Sequence, residues 1–352
     1  MPKPVNFAVL GLGMGMHHCR AILAAQGAEL VAVCDRDPKR LSAGVKEFGV
    51  EGFAKWPDML KADHIDAICI ATESATHTTF GVQAARKGKH LLMEKPVDVS
   101  LSRIGKLQTE VAKAGVRCGC VYQYRVDPCN IALRKAIQAG KMGRVIGAHI
   151  RLPWLRLNEY YQGPHGRWRG TWKTDGGGSL SNQGIHSVDL LYWLVGPVES
   201  VCGYYGVFNH RIEAEDQTVA ILKFKCGALG TLLTTTCAIP DQAMHTHIYG
   251  TKGSFSRKAE KLEFYEMGTP KERERMMKQF GGREAKNTAG MDALALSSDG
   301  HTVLIEDLVK AIRKDVDPLI TIQSAAESVR IVKAIYQSAR SGRVVQIDRV
   351  KA

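Results

Sequence analysis

The sequence predicts an α/β protein of two domains, with a doubly wound parallel sheet in residues 1–125 and a mainly antiparallel sheet in residues 126–352. In the first part, short apolar runs typical of strands alternate with helical patterns, which favours a parallel sheet. In the second part, strand-like runs follow one another through hairpin-length connections, which favours antiparallel pairing. Each element below supports one of these two patterns.

The chain begins with the pattern strand, glycine turn, helix and strand. An apolar run over 5–10 is followed by Gly11-Leu12-Gly13-Met14-Gly15-Met16, a helical pattern over 17–26 and a second run over 30–34. This order is typical of a dinucleotide-binding βαβ unit, in which Gly11 permits the tight turn and Gly13 and Met14 lie against a pyrophosphate. The third glycine position holds Met16, so either the helix packs less closely there or Gly15 takes over that role.

Asp35 ends the second strand, about twenty residues beyond the glycines, where a carboxylate accepts hydrogen bonds from an adenosine ribose. Its charge repels a 2′-phosphate, so we expect NAD rather than NADP. Arg36 follows directly and could pair with such a phosphate, which leaves NADP as the less favoured cofactor. A chance glycine pattern in a loop is the alternative, and the flanking strands argue against it.

Strands over 66–71, 90–93 and 116–121, with helices over 76–87 and 100–114, continue the alternation. Ligands bind beyond the carboxyl ends of the strands in such sheets. Two groups of side chains fall there and are expected to contact the cofactor: Thr72, His77, Glu94 and Lys95. Lys95 is placed where a nicotinamide would lie, the alternative being an ordinary solvated lysine.

A glycine-rich stretch, Gly176 to Asp189, carries the best candidates for chemistry in the second domain. The glycines let backbone approach a ligand, and Asn182 and His186 are spaced i and i+4, so a helix would place them on one face. They would act as hydrogen-bond donor and proton acceptor. The alternative is a helix N-terminus with a satisfied structural histidine.

An aromatic and arginine-rich segment over 153–175 leads into that stretch. Flat rings suit sugar faces and arginines suit carboxylates or phosphates, so we expect substrate contacts here. The alternative is a surface loop whose aromatic side chains only anchor it. The expected substrate-binding residues, including two that precede the second domain, are Tyr124, Arg125, Trp168, Arg169, Trp172 and Asn182.

The remaining pattern of the second domain begins with a helix from 127 to about 139. Strands are expected over 145–152, 200–206, 217–225, 228–236 and 245–250, and amphipathic helices over 301–313 and 322–341. Residues 267–300 are polar and charged, with a short helix around 271–278. This segment fits a lid, an oligomer contact or a mobile insertion.

These motifs together resemble the Gfo/Idh/MocA oxidoreductase family over nearly the whole chain. The resemblance rests on Gly11-Leu12-Gly13, Asp35, Glu94-Lys95-Pro96, the stretch ending in His186-Ser187-Val188-Asp189, Gly250-Thr251-Lys252-Gly253-Ser254 and Ala339-Arg340-Ser341-Gly342-Arg343. It implies a Rossmann domain, a C-terminal α/β domain with a large open sheet that forms a homodimer or homotetramer, and NAD(P)-dependent oxidation of a sugar or polyol hydroxyl. The catalytic lysine and histidine of the family match Lys95 and His186.

One position departs from the family pattern. The family commonly carries an aspartate four residues before the histidine, where this chain has Asn182. An amide does not exchange a proton near neutral pH, so Asn182 can only orient a group or hydrogen-bond to it. The substitution resembles members that act on nucleotide-linked amino sugar acids, of the UDP-N-acetyl-glucosaminuronate 3-dehydrogenase type.

Composition argues against several other classes of protein. The chain has 352 residues, 45% hydrophobic content and no apolar stretch long enough to span a membrane. Nine cysteines without a Cys-x-x-Cys pair predict buried thiols in a reducing cytoplasm and no metal site. The net charge of +13 is spread along the chain, and the sequence has no nucleic-acid-binding motif. We therefore expect this positive charge to attract anionic small molecules, including the cofactor, rather than nucleic acid.

The expected function is therefore NAD-dependent oxidation of a small carbohydrate substrate by a cytoplasmic enzyme. Two alternatives stay open. A redox-neutral enzyme would use tightly bound NAD to oxidise a sugar carbon transiently, without net NADH. A non-catalytic dinucleotide-sensing protein would fit the missing aspartate, although it would not need both Lys95 and His186.

Overall fold

The computed structural model describes residues 3–163, 166–282 and 299–350. They form two compact units. Among these residues, the first unit comprises 3–126 and 299–326, and the second comprises 127–163, 166–282 and 327–350. The first break thus falls one residue beyond the expected boundary, whereas a helical stretch that we assigned to the second domain clusters with the first unit.

The sheet of the first unit is parallel throughout, as expected. Its strands are β1 (Val5–Leu10), β2 (Ala28–Cys34), β3 (Glu51–Phe53), β4 (Ala67–Ile70), β5 (His90–Met93) and β6 (Cys118–Cys120). They lie in the order β3-β2-β1-β4-β5-β6. The order reverses between β1 and β4, and a crevice at the carboxyl ends of these strands is where dinucleotides bind in doubly wound sheets.

The sheet of the second unit is mixed, with one parallel pair among otherwise antiparallel neighbours. Its strands are β7 (Val145–Pro153), β8 (Val198–Gly206), β9 (Gln217–Phe224), β10 (Leu229–Thr235), β11 (His245–Gly250), β12 (Ser254–Lys258), β13 (Lys261–Glu266) and β14 (Val345–Gln346). Their order is β13-β12-β11-β7-β10-β9-β8-β14, and β7 and β10 form the parallel pair. This confirms the mainly antiparallel sheet and adds three strands that the sequence pattern did not reveal.

Helices surround these strands. They are α1 (Gly15–Ala24), α2 (Pro38–Phe48), α3 (Trp56–Leu60), α4 (His77–Arg86), α5 (Leu101–Ala114), α6 (Pro128–Gln138), α7 (Glu159–Gln162), α8 (Ile185–Val195), α9 (Pro270–Phe280), α10 (Asp299–Lys314) and α11 (Ile322–Ser341). We did not predict α2, although its start is encoded locally: the Asp37 side chain accepts from the backbone N–H of Lys39, and Pro38 occupies the first turn.

The strand β9 shows why one face of the second sheet is open. Its residues alternate strictly, so that Ala220, Leu222 and Phe224 are buried while Val219 and Ile221 are exposed. Period-two alternation of this kind belongs to a strand packed on one face only. Several of the exposed side chains of this sheet are apolar, Val219 and Ile221 among them.

The short helix expected around 271–278 is α9, which begins with a reciprocal capping box between Thr269 and Glu272. Most of the rest of segment 267–300, residues 283–298, lies outside the described residues. Within the described part of the chain, no helix combines the length and the apolar character needed to cross a lipid bilayer.

Candidate active site

The glycine turn after β1 fits a dinucleotide closely. Gly11 has a φ of 89°, and a Cβ there would lie 2.6 Å from the carbonyl oxygen of Ala71, so only glycine fits. A Cβ at Gly13 would instead meet only Arg40 Nη1, at 3.6 Å, which leaves the backbone open to a ligand. This is the cradle that a pyrophosphate requires.

The packing role of the third glycine belongs to Gly15. A Cβ there would lie 2.7 Å from Cγ1 of Val9, so α1 packs closely against β1 at this point. Met14 precedes the helix, and the first turn of α1 has neither a side-chain cap nor an acidic residue. The N-terminal N–H groups of α1 are thus suited to an anionic group.

Asp35 lies at the end of β2, buried beside the glycine turn. Its Oδ2 accepts from the backbone N–H of Leu12 at 2.7 Å, and its Oδ1 accepts from that of Asp37 at 2.8 Å. A cleft of about 400 Å³ adjoins it, lined by Asp35, Arg36, Pro38, Leu41, Ser42, Val45, Lys46 and Ala54. A carboxylate fixed at the rim of such a cleft fits the ribose of an adenosine.

Arg36 points into solvent, with 87% of its side chain exposed, and its Nη2 lies 2.8 Å from Oε1 of Glu73. This ion pair competes with a 2′-phosphate for the guanidinium. The arrangement agrees with the preference for NAD.

Lys95 follows β5 directly, is half-buried, and precedes a cis bond to Pro96. Its backbone N–H donates to Oε2 of Glu94 at 2.8 Å. Beyond it, the carbonyl oxygen of Pro96 lies 2.7 Å from Nδ1 of His77. The backbone on both sides of Lys95 is therefore held by buried side chains.

Glu94 is buried between two histidines. Its Oε1 lies 2.9 Å from Nε2 of His18 on α1 and 3.7 Å from Nε2 of His301 on α10. Burial raises the pKa of the Glu94 carboxyl, but the hydrogen bonds from His18 and His301 outweigh it and hold that pKa well below the usual range. Burial lowers the pKa of His18, so a neutral imidazole faces an ionised carboxylate.

In the structure, the side chains of Thr72, His77 and Glu94, which we expected to contact the cofactor, make contacts with other groups of the protein. The ring nitrogens of His77 lie within hydrogen-bond distance of two backbone carbonyls, those of Pro96 and Thr72, and Thr72 Oγ1 contacts Thr76 Oγ1. The contacts described for His77 and Glu94 serve the protein itself. Direct contact of these three residues with a cofactor stays a prediction.

The glycine-rich stretch of the second unit forms a π-helix over Ser179–Gly184, which passes into α8. We expected an ordinary helix here. His186 lies in the first turn of α8 and Asn182 in the π-helix, and both are buried. Short π-helical segments are frequently found at functional sites.

A buried carboxylate holds the start of this π-helix. Glu215 Oε1 accepts from the backbone N–H groups of Gly178 and Leu180, both at 2.9 Å, and Oε2 accepts from Ser179 Oγ at 2.6 Å. The hydroxyl of Tyr336 also donates to Oε1, at 2.6 Å. Burial raises the pKa of Glu215 despite these donors.

Two of the glycines, Gly177 and Gly178, leave room for the residues that hold the start of the π-helix, Tyr336 and Glu215. A Cβ at Gly178 would overlap the carbonyl oxygen of Glu215, and a Cβ at Gly177 would lie 2.1 Å from the hydroxyl of Tyr336. We predicted that the glycines admit a ligand. At these two positions that prediction is wrong, because the backbone carbonyl of Glu215 and the phenol of Tyr336 occupy the space.

The amide of Asn182 has a fixed orientation. Its Nδ2 donates to Oδ1 of Asp175 at 2.8 Å, and its Oδ1 accepts from Nε2 of Gln183 at 3.2 Å. The hydroxyl of Tyr160 lies 3.5 Å from the same oxygen. The family pattern commonly has an acid at the position of Asn182. Here the amide occupies that position, and the fully buried carboxylate of Asp175 accepts its hydrogen bond.

Two arginines lie over the ring of Tyr160, which belongs to this group. The guanidinium carbons of Arg156 and Arg169 lie 5.4 and 4.2 Å from the ring centroid of Tyr160, and Arg156 Nη2 donates to Gln183 at 3.4 Å. Arg169 also stacks on Trp168. A neighbouring cleft of about 310 Å³ is lined by Tyr161, Gln162, Arg167, Arg169, Thr171, Arg211, Ile212 and Glu213. Three arginines against one acid make it attractive to anions.

The other expected substrate residues have internal contacts. Trp172 packs against Tyr205 and Tyr336, with Arg340 stacked on its ring. Arg125 is buried in the 3₁₀-helix Gln123–Arg125, which also contains Tyr124, and donates to Ser324. Substrate binding by these residues stays a prediction.

Several residues central to this geometry were not predicted: His18, Asp175, Glu215, His301 and Tyr336. His18, Glu215, His301 and Tyr336 lie far along the chain from the groups that they contact, whereas Asp175 is seven residues from Asn182. Only Asp175 carried a local signal, since it ends the segment before the glycines.

Two clusters in the described residues bring together the side-chain types that ligate metals, although we predicted no metal site. They are His18 with Glu94 and His301, and His210 with Asp216 and Cys237. In the second, the His210 ring contacts Asp216 and the carbonyl oxygen of Arg156, and burial raises the pKa of the Cys237 thiol to about 12. Such a thiol is protonated and a poor ligand at neutral pH.

Comparison with known proteins adds independent information. Residues 5–122 match the model of an oxidoreductase family described as an NAD-binding Rossmann fold, and residues 134–347 match the C-terminal α/β domain of the same family. The scyllo-inositol 2-dehydrogenase (NAD(+)) of Bacillus subtilis is 25% identical, with 100% of this chain and 99% of that protein covered. The WlbA dehydrogenase of Bordetella pertussis, solved with NADH and UDP-GlcNAcA, is 31% identical, with a TM-score of 0.86 and coverage of 98% and 99%.

Proposed function

The chain belongs to the Gfo/Idh/MocA oxidoreductase family, whose Rossmann domain binds NAD, and from that premise we propose that it is a dehydrogenase of an anionic sugar derivative. The open backbone at Gly13, the uncapped α1 and Asp35 fit the cofactor. Bound NAD supplies the acceptor for a hydride.

The proposed chemistry uses Lys95 and His186. His186 takes the proton of the substrate hydroxyl, while the hydrogen on the same carbon leaves with its electron pair and a carbonyl forms. Lys95 donates a hydrogen bond to the reacting oxygen and stabilises its developing negative charge. Asn182 positions a substrate hydroxyl through Oδ1, because Asp175 holds its Nδ2.

We further propose that the substrate carries a carboxylate or phosphate, as in a nucleotide-linked sugar acid. The observation that carries this proposal is the concentration of arginines around the Asn182 network: Arg156 and Arg169 on Tyr160, with Arg167 and Arg211 in the adjoining cleft. The likeness to WlbA, solved with UDP-GlcNAcA, supports it.

The proposal includes a cytoplasmic homodimer or homotetramer formed through the second sheet. The exposed apolar side chains Tyr204, Val219, Ile221 and Leu229 lie on neighbouring strands of that sheet. Exposed apolar side chains grouped on one face of a sheet are typical of an interaction site. The nine cysteines are all free thiols, which suits a reducing compartment.

The experiment that tests the function is a substrate panel. Purified protein with NAD should form NADH with a UDP-linked sugar acid, and more slowly with the neutral UDP-sugar and the free neutral sugar. Turnover without net NADH would instead support the redox-neutral reaction. Absence of any turnover, together with tight NAD binding, would support a sensing protein.

A further inference from the structure

A line of hydrogen bonds joins the cofactor-binding helix to the backbone of Lys95. His18 lies on α1, the helix that follows the glycine turn, and its Nε2 lies 2.9 Å from Oε1 of Glu94. The other oxygen of the same carboxylate accepts from the backbone N–H of Lys95 at 2.8 Å. One buried carboxylate therefore connects a histidine of α1 to the lysine at the end of β5.

The protonation states of this line are fixed by its surroundings. His18 is fully buried, and burial lowers its pKa, so it is neutral. Its only contact to the carboxylate is through Nε2, which must then carry the proton and donate. Glu94 is ionised because its donors hold its pKa well below the usual range. An ionised acceptor makes both hydrogen bonds short and strong.

Other titratable groups also face Glu94. From α10, His301 lies 3.7 Å from Oε1, and its ring meets the His18 ring edge-on at 5.1 Å between centroids. His17 of α1 and Cys69 of β4 are close enough to interact with the carboxylate electrostatically. Among these groups, His18 makes the closest contact.

We propose that His18 is a positioning residue for the reaction: by donating to Glu94 it holds the carboxylate that fixes the backbone of Lys95. The proposal rests on the role given to Lys95 above. It assigns to α1 a second task, because the helix whose N-terminus faces the cofactor also sets the position of the lysine. His77, which holds the Pro96 carbonyl, restrains the other side of Lys95.

The first test compares His18→Leu with His18→Gln. Leucine removes the donor, whereas the glutamine amide can still donate to Glu94. We expect kcat for NADH formation to fall roughly tenfold to a hundredfold in the leucine variant, the usual effect of losing a buried hydrogen bond to a charged group. The glutamine variant should recover most of the loss. The KM for NAD should change little in either variant.

The pH dependence provides a readout that a purely structural role would not move. Without its closest donor, the pKa of Glu94 should rise, and a protonated Glu94 holds the Lys95 N–H less well. The kcat of His18→Leu, divided by the wild-type kcat at the same pH, should therefore fall as pH is lowered from 7 to 5. His17→Leu is the matched control, since His17 is a buried neighbour on α1 without a hydrogen bond to Glu94. A ratio that stays flat, or an equal fall in the His17 variant, would overturn the proposal.

A double-mutant cycle with Lys95→Ala separates the proposal from the function beneath it. If His18 acts through Lys95, then His18→Leu should cost little further turnover once Lys95 is alanine. If the fold-losses of turnover in the two single variants instead multiply in the double variant, the positioning role is contradicted. Near-normal turnover in Lys95→Ala alone would instead contradict the catalytic role of Lys95.

A second variant, Glu94→Gln, keeps the proposal testable if the thermal midpoint of His18→Leu shows that it does not fold. The substitution removes one acceptor at constant size and should likewise lower kcat. Unchanged turnover in Glu94→Gln would also overturn the proposal.

Discussion

Asp35 has a structural role that the hydrogen bonds show, and we propose that it also sets the choice of cofactor. Its carboxylate accepts backbone N–H groups from the glycine turn and from the start of α2, so it is part of the structure that shapes the adenosine end of the site. The same negative charge disfavours a 2′-phosphate. The nearest arginine that could reverse this preference, Arg36, is paired with Glu73.

We predict that NAD binds more tightly than NADP and that Asp35→Ser narrows the difference by roughly tenfold or more, because it removes the charge repulsion. Dissociation constants for both cofactors, measured by calorimetry, provide the test. Asp63→Ser, which removes an exposed charge elsewhere in the first unit, should leave the ratio unchanged. Equal affinities in the wild-type protein would contradict the assignment of Asp35.

Among the secondary-structure elements, the π-helix over Ser179–Gly184 is the most unusual. Its first turn is satisfied by Glu215, which accepts from two backbone N–H groups and two hydroxyls. The carboxylate thereby stabilises the segment that carries Asn182 and leads to His186. Because it is buried, its ionisation opposes folding, which is why its pKa is raised.

We predict that Glu215→Ala lowers the free energy of unfolding by about 2 kcal/mol or more, since it leaves buried donors unsatisfied. Glu215→Gln keeps an acceptor and should cost less. A carboxyl group whose pKa is higher in the folded than in the unfolded protein contributes stability when the pH is below its unfolded-state pKa. That contribution is lost as the pH rises through its folded-state pKa. The stability of the wild-type protein relative to Glu215→Gln should therefore fall as pH rises above about 4.5. Denaturant titrations at several pH values measure this, and a difference that grows with pH would contradict it.

The same elements show what the sequence could predict. The strands around Gly11 and Asp35 carry strong local patterns, and each strand and helix predicted up to residue 121 is found, whereas α2, β3 and α3 were not predicted. The π-helix has no periodicity that separates it from an α-helix over six residues. Glu215 lies in a loop whose sequence gives no sign of burial, and the contact of His18 with Glu94 spans 76 residues. Such contacts arise from tertiary packing alone.

On the scale of the whole molecule, the open face of the second sheet bears on assembly. Val219 lies opposite Tyr204 on β8, and Ile221 lies two residues beyond Val219 on β9, so these three exposed apolar side chains share one face of the sheet. The amphipathic α10 clusters with the first unit, although it follows the second sheet in the chain. Its periodicity reveals an apolar face but not the unit against which that face packs.

We predict that Ile221→Lys, at a position 58% exposed, converts the oligomer to monomers, because a charge would be buried in the interface. Sedimentation velocity over a range of protein concentrations measures the change. Leu23→Lys is the control, since Leu23 is 60% exposed on α1, an element of the first unit. A wild-type protein that is monomeric at all concentrations would contradict the proposed assembly.

The central claim is that Lys95 and His186 carry an NAD-dependent oxidation of an anionic sugar. Its most direct test is the initial rate of NADH formation with a saturating UDP-linked sugar acid, for the wild-type protein, Lys95→Ala and His186→Ala. Each variant should lose roughly a hundredfold or more in kcat, while its dissociation constant for NAD changes little. Lys87→Ala, at an exposed position after α4, should be unaffected. A near-normal rate in either Lys95→Ala or His186→Ala would contradict the claim.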